Sequence, residues 1–442
     1  MVSRSVTLEE QFSKLKSALK RNPVVDFRLL RMMSFWPFLK PLLNNRTFDS
    51  YIGEFTELVI NHCQPEHLVD LRVEELESVF AMLSSLEAAS ARLSMSDDVA
   101  SAGRAVGVEQ AVRLFYIGEA ESGLKVLETV FNGTKQLQRT AVELPSGLNE
   151  LDTLRLLTEK RGMADDPVTR RLESILRDWE ILRDETSHSQ LECLFVEEHH
   201  NQPDSRGRLR ALRAMAQYSS AAADSHEVTF EHQLKSPDDP LVGSIYHALS
   251  AVQRLLSEPE FRIRRGDFIH AHFRILPSDH SFTGDSIGLG AALVTLVQML
   301  SGQVLRYKRG IATGAAFTGS IDSEGNIPPV NEDTLQHKVE RAFCSHVKYL
   351  VLPHGNLEAA QDHLAPLKQK YPRRRLTLVG VDRLEEIIHD HNIVRSEKVC
   401  AGQYVIRKAH TYSRLTYIQL PLLAILIYVL VCLLYPKAWL GF

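Results

Sequence analysis

Apolar side chains recur every three or four residues along the first part of the chain, in segments such as Ala105 to Phe131 (AVGVEQAVRLFYIGEAESGLKVLETVF) and Val168 to Leu182. That spacing puts them on one face of a helix, and residues 7 to 195 are read as helices. Turn chemistry separates the segments at Asn22-Pro23, Pro65, Asn132-Gly133 and Pro145-Ser146-Gly147, where proline or glycine interrupts the pattern. No repeat has the fixed period that a solenoid needs. A polar stretch from Glu197 to Arg208 follows, Leu209 to Ala223 suggests one more helix, and Glu227 to Phe230 reads as a strand.

From about residue 228 the period itself alternates. Ile245 to Leu256 and Ala291 to Leu300 are helical, whereas Asp267 to Ile275 alternates with period two and Gly310 to Ile321 is strand-like. After a turn at Asp322 to Asn326 come a helix from about Thr334 to Ser345 and an apolar strand, Val347 to Pro353. Helices Leu357 to Lys370 and Leu384 to His389 surround the strand Leu376 to Val379. Interleaved strands and helices of these lengths predict a mixed α/β domain behind an α-helical N-terminal region.

The last apolar run is of another kind. Leu415 to Tyr435 (LTYIQLPLLAILIYVLVCLLY) carries no charge and one amide, Gln419, over a length that can cross roughly 30 Å of hydrocarbon. It predicts a C-terminal transmembrane helix, with Pro421 near its start, where a missing donor is tolerated. Arg407, Lys408 and Arg414 flank one side and Lys437 the other, so the positive-inside rule leaves the N-terminal bulk cytoplasmic in a single-pass topology. Membrane lipid is then one partner of the chain. Trp439 and Phe442 would sit at the far interface.

Composition removes several alternatives. With 44% hydrophobic and 24% charged residues and a formal net charge of −4, the chain has no bias toward polyanions, and no nucleic-acid partner is expected. The short basic runs Arg262 to Arg265 and Arg373 to Arg375 read as solvated surface. Five cysteines lie scattered without metal-ligand spacing, which fits a reducing compartment. The first 25 residues lack the apolar core of a signal peptide. The cluster Phe35-Trp36-Pro37-Phe38 is read as helical core. His199-His200, near Glu197, Glu198 and Asp204, reads as a polar linker and not a metal site, and no cofactor is expected.

The candidate chemistry starts at Gly284-Asp285-Ser286-Ile287-Gly288-Leu289-Gly290, where a glycine-framed serine opens the apolar run after it. Such a serine is either a helix cap or a nucleophile. The Gly-x-Ser-x-Gly pattern also describes the α/β-hydrolase elbow, in which the serine follows an apolar strand directly. Here Ser278 to Asp285 form a polar loop instead, so a histidine-dependent elbow fits poorly. The 18 histidines of the chain discriminate little among partners.

A different set of landmarks fits in order. Phe317-Thr318-Gly319-Ser320 leads through Gly325 to Pro328-Pro329-Val330, then to a helix bearing Leu335-Gln336-His337-Lys338-Val339, then to the strand ending at Pro353. Together with the serine loop, over roughly residues 226 to 392, this arrangement resembles the proteolytic domain of Lon proteases. The resemblance implies Ser286 as nucleophile, Lys338 as general base, and Thr318 as the residue that orients the lysine. Gly284, Asp285 and Gly288 become the oxyanion and loop positions. Lys338 is chosen by phase, because the family's lysine stands three residues after the leucine matched by Leu335 and directly before the next apolar position. Serine is a poor nucleophile until a base accepts its proton, and an ammonium with a solution pKa of about 10.4 cannot do so. Burial of Lys338 among apolar residues would supply the neutral amine. The chain departs from the family's usual loop at Thr283 and Asp285, and Asp285 beside the serine opposes negative charge developing there.

No Gly-x-x-x-x-Gly-Lys-Ser/Thr phosphate loop is present, so no nucleotide-driven unfolding motor of that type is fused to the domain. The expectation is a membrane-anchored, ATP-independent Lon-like serine endopeptidase acting on protein or peptide. The competing reading is a dormant Lon-like scaffold or signalling receptor. Residues 1–200 would be a helical sensor, adaptor or substrate-binding region answering an activator, 201–225 a linker and helix, and 226–395 the proteolytic domain. A juxtamembrane segment over 396–414, the transmembrane helix over 415–435 and a short tail over 436–442 complete the chain. The resemblance also implies a homo-oligomer, commonly a hexameric ring.

Overall fold

The computed structural model describes residues 2–21, 25–131, 186–197, 206–218, 225–230, 240–259, 261, 268–276, 286–301 and 307–398. The helical part comprises α1 (Val2–Arg21), α2 (Val25–Leu39), α3 (Asp49–His62), α4 (Pro65–Leu68), α5 (Val73–Ser90), α6 (Ser96–Tyr116) and α7 (Ala120–Phe131). Its core gathers the apolar stripes of α1, α2, α3, α5 and α6. Phe35 lies at its centre, 5.5 Å from the ring of Phe12 and 5.6 Å from that of Phe55, and Trp36 stacks on Phe55 at 6.1 Å. Phe38, from the same sequence cluster, is instead 54% exposed. The start of α5 is fixed by Glu75, whose carboxylate accepts the Arg72 N–H at 2.9 Å, satisfying a donor that the helix leaves free. The Val168 to Leu182 segment lies outside the described residues.

Then follow β1 (Thr186–Ser187), β2 (Gln190–Glu197), β3 (Arg206–Tyr218), β4 (Glu227–Phe230), α8 (Pro240–Leu256), β5 (Ile269–Leu276), α9 (Gly288–Ser301), β6 (Tyr307–Ala312) and β7 (Ala315–Phe317). The chain continues with α10 (Leu335–Phe343), β8 (Tyr349–Pro353), α11 (Leu357–Lys370), β9 (Thr377–Val381), α12 (Leu384–His389) and β10 (Val394–Lys398). Among the described residues these strands form a seven-stranded sheet in the order β4-β5-β3-β2-β7-β8-β9 and a three-stranded sheet in the order β1-β6-β10. In the larger sheet, β2, β7, β8 and β9 run parallel to one another, while β3 pairs antiparallel with both β2 and β5. The molecule is thus mixed α/β with a helical N-terminal region.

Strand alternation divides the core in two. Leu191, Cys193 and Phe195 of β2 and Val351 of β8 join the cluster of α8, α9 and α12, while Leu194, Leu350 and Leu352 join that of α10 and α11. Side chains of period two point to opposite faces, so one strand serves both clusters. Helix α9 is buried along nearly its whole length, which accounts for its apolar character on every side.

Two expectations are corrected here. Residues 190–197 are strand β2, not the end of a helical region, and the helix expected from Leu209 to Ala223 is instead β3 as far as Tyr218. The segment LRALRAMAQY is built from good helix formers with Leu209, Leu212 and Met215 three apart. Pairing with β2 on one side and β5 on the other overrides that propensity, because both neighbours need a central strand. The sheet therefore draws in residues placed in the helical region and in the linker over 201–225. The apolar run 415–435, with its flanks, lies outside the described residues; among the described helices none is long and apolar enough to cross a membrane.

The helical region is docked on the α10 and α11 face. Val73, Leu114 and Ile117 share a buried cluster with Leu335, Phe343 and Leu364. At the centre of this junction the Asp70 carboxylate, its side chain 10% exposed, meets Arg210 at 2.7 Å, Arg208 at 2.9 Å and Arg341 at 3.1 Å. Burial pushes the Asp70 carboxyl up, but the guanidinium charges of Arg210, Arg341 and Arg208 more than reverse this and hold it far below the usual carboxylate range. Arg341 is lowered to about 10, first by burial, and stays charged at neutral pH. Because Asp70 is depressed in the folded state, its stabilising effect is full above the unfolded carboxyl value and is lost as the pH falls from there toward the folded value. Asp70→Asn is expected to cost about 3–5 kcal/mol at pH 7, since it leaves buried guanidinium charge uncompensated. Urea denaturation of the full chain at pH 7 and pH 3 checks this: the gap between the wild-type and variant curves should narrow only slightly at pH 3, because the folded carboxyl is still ionised there.

Candidate active site

Ser286 lies in a tight turn, and Ile287 separates it from the first residue of α9. The first helical hydrogen bond, Ala291 N–H to Ile287 O at 2.8 Å, makes Ile287 the capping residue. Ser286 is therefore not the cap of its helix, and its hydroxyl has another use. Lys338 Nζ donates to Ser286 Oγ at 2.9 Å. The two residues are 52 positions apart in sequence, and the lysine is 2% exposed while the serine is half-buried.

The turn is held by the loop that leaves β7. Gly319 N–H donates to Ser286 O at 3.1 Å, and Leu289 N–H donates to Gly319 O at 3.0 Å, so the Thr318-Gly319 segment grips both sides of the serine turn. The same segment is tied to the sheet by Thr318 N–H to Val351 O at 3.0 Å. Helix α9 belongs to one face of the sheet and α10 to the other. Serine and lysine meet where β7 ends. Gly288, the first residue of α9, allows the close approach: a Cβ there would overlap the Ser244 hydroxyl and lie 3.1 Å from Ile321 N. That contact is why a glycine follows the serine, a reason the motif alone does not disclose.

Helix α10 presents Leu335, Val339, Ala342 and Phe343 to the apolar cluster, and Lys338 is buried with them. The turn leading into it is fixed by Asn356, 1% exposed, which accepts the Val330 N–H at 2.7 Å and donates to Val330 O at 3.0 Å. At the other end, the Arg374 guanidinium donates to Phe343 O at 2.8 Å, Ser345 O at 2.9 Å and Val347 O, a cation placed at the negative end of the helix. Burial lowers Arg374 to about 10, which leaves it charged.

Of the residues singled out from the sequence, Ser286 and Lys338 are brought into hydrogen-bond contact, and Gly288 lies at the start of α9. Thr318 is fully buried beside Gly319, and among the described residues its Oγ1 has no hydrogen-bond partner. A contact from Thr318 to the lysine is therefore not formed in this arrangement. Gly284 and Asp285 lie outside the described residues, as do His199 and His200. No cluster of metal-ligating side chains occurs among the described residues. Sequence reasoning missed Asn356 and Asp70. Asn356 follows a glycine after a strand and resembles any loop asparagine, whereas Asp70 had no sequence signal at all.

The hydroxyl–amine pair supports proton transfer. With a neutral amine, the same 2.9 Å separation serves an Oγ–H donating to Nζ, within the reach that general-base catalysis requires. The first-turn amides of α9 lie next to the hydroxyl in sequence, and Leu289 is the one already engaged. Gly288→Ala is expected to destabilise the chain by about 1–3 kcal/mol through overpacking. Ser244→Ala in the same chain should recover part of that loss, with a coupling of at least about 0.5 kcal/mol in a double-mutant cycle. Equal, additive losses would show that the two groups do not compete for the same space.

A scan against models of known protein families gave no match, and a search of curated proteins returned no significant relative.

Proposed function

We propose that the chain is a Lon-like serine endopeptidase working without its own nucleotide-driven motor, with Ser286 as nucleophile and Lys338 as general base. One observation carries the reading: the buried Lys338 amine stands 2.9 Å from the half-buried Ser286 hydroxyl. Burial disfavours an ammonium and so favours the form of lysine that can accept a proton. A surface lysine meeting a serine by chance would be solvated and would remain a cation.

In the proposed reaction Ser286 Oγ attacks the carbonyl carbon of a peptide bond while its proton passes to Lys338 Nζ. The resulting oxyanion is assigned to the start of α9, where the helix dipole is positive. Collapse breaks the C–N bond, the leaving amine takes the proton from Lys338, and an ester on Ser286 remains. Water then attacks this ester, losing its proton to Lys338, which returns it to Ser286 as the acid product leaves. Thr318, buried on the segment that grips the serine turn, is assigned to orient the lysine.

Without an unfolding motor, the substrates are flexible protein segments or peptides. The reading includes a Lon-like proteolytic domain, self-association of that domain, and a C-terminal anchor over 415–435 that places the active site beside a membrane.

Ser286→Ala and Lys338→Ala are each expected to lower cleavage of an unfolded protein by roughly a thousandfold or more, measured by fragment release from the full chain. Cleavage that survives both substitutions would sink the dyad. A wild-type chain that never cleaves, with or without detergent-solubilised membrane, would favour the dormant scaffold. Thr318→Val separates catalysis from stability: removing an unpaired buried hydroxyl should leave stability unchanged within about 0.5 kcal/mol or raise it. The turnover rate should still fall about tenfold or more if the hydroxyl orients the base.

A further inference from the structure

Helix α10 carries two buried basic side chains three residues apart, Lys338 and Arg341, and they answer to different parts of the molecule. Lys338 reaches Ser286. Arg341 Nη2 lies 3.1 Å from Asp70 Oδ1, in the short connection between α4 and α5 of the helical region. Glu340, directly before Arg341, is bridged at 2.9 Å by Arg72 from that same connection. We infer that Asp70 is a positioning residue for Lys338, holding α10 at the height and phase at which the lysine amine meets Ser286.

The inference rests on the dyad reading and on what else could fix this helix. A helix of nine residues has little stability of its own. Its apolar stripe allows sliding and rotation, because apolar contact is not directional. Among the described residues, directional restraints include Arg374 at its C-terminal carbonyls, the pair from Arg72 and Asp70, and a close approach to β3 at Gly207. At Gly207 a Cβ would overlap the His337 carbonyl oxygen, so the helix backbone rests directly on the strand. Arg374 sets the end of the helix but not its rotation. The Asp70 carboxylate, itself fixed by Arg208 and Arg210 on β3, restrains rotation one turn from Lys338. Lys338 and Arg341 are separated by about 4.5 Å along the axis. A movement of the helix backbone at Arg341 is therefore carried to Lys338, less than one turn away.

The test is made on the full chain with Asp70→Asn, Asp70→Glu and Arg72→Ala, beside Ser286→Ala and Lys338→Ala. Turnover of a short peptide is expressed per Ser286 titrated by a fluorophosphonate, and amide hydrogen exchange is followed across residues 335–343. Expected for Asp70→Asn are turnover per titrated serine lowered about tenfold or more, KM within about twofold of wild type, and faster exchange in α10. Asp70→Glu, which keeps the charge, should restore part of both. Should Asp70→Asn fail to fold, Arg72→Ala, whose pair is partly exposed, should show the same two changes to a smaller extent. Fewer titratable serines with unchanged turnover per serine and unchanged exchange in α10 would overturn the inference, leaving Asp70 a stabilising residue only. If the Ser286 and Lys338 variants cleave like wild type, the dyad reading itself falls, and hydrogen exchange alone decides whether Asp70 holds the helix.

Discussion

Burying charge on a short helix is the constraint from which the rest of this structure follows. Lys338 and Arg341 both lie inside the protein on α10, 2% and 8% exposed. An uncompensated ion in such surroundings costs several kcal/mol, so each must be neutralised or paired. The molecule solves the two cases differently. Arg341, which cannot shed its proton at neutral pH, is matched with a carboxylate that is itself shared with two further guanidinium groups. Lysine can lose its proton, and Lys338 reaches the Ser286 hydroxyl. Under the proposed function, that proton exchange is the origin of the base.

What was readable beforehand reflects the range over which each determinant acts. The order of strands and helices after residue 240 follows from local period, and α11 and α12 fall where apolar spacing places them. The pairing of Ser286 with Lys338 was legible only through the resemblance to Lon proteolytic domains, within which the phase of Leu335 and Val339 selects the lysine. Strand β3 was misread because its side chains favour helix locally and are held extended only by β2 and β5. The Asp70 junction was invisible for the same reason in stronger form. Its partners lie 138, 140 and 271 positions away, and a single aspartate between a leucine-rich turn and α5 carries no pattern.

The helical region is consequently more than an appended sensor. Val73, Leu114 and Ile117 complete the apolar cluster that contains Leu335 and Phe343 of the lysine helix. Lys370 at the end of α11 reaches Glu74 at 2.6 Å, so α10 and α11 are both tied to one end of α5. A signal that moved this end of α5 would act on Lys338 before it acted on Ser286, because α9 belongs to the opposite face of the sheet.

Thr318 gives the balance of forces at the site its sharpest form. A fully buried hydroxyl without a partner costs about 1–3 kcal/mol, and a protein selected for stability alone would place valine there. The loop around it is over-determined instead: Thr318 N–H is bound to Val351, Gly319 to Ser286, and Leu289 to Gly319. These bonds keep the backbone fixed whatever the hydroxyl does. Under the proposed function, the hydroxyl on this fixed segment serves the Lys338 amine, which gains and loses a proton during turnover.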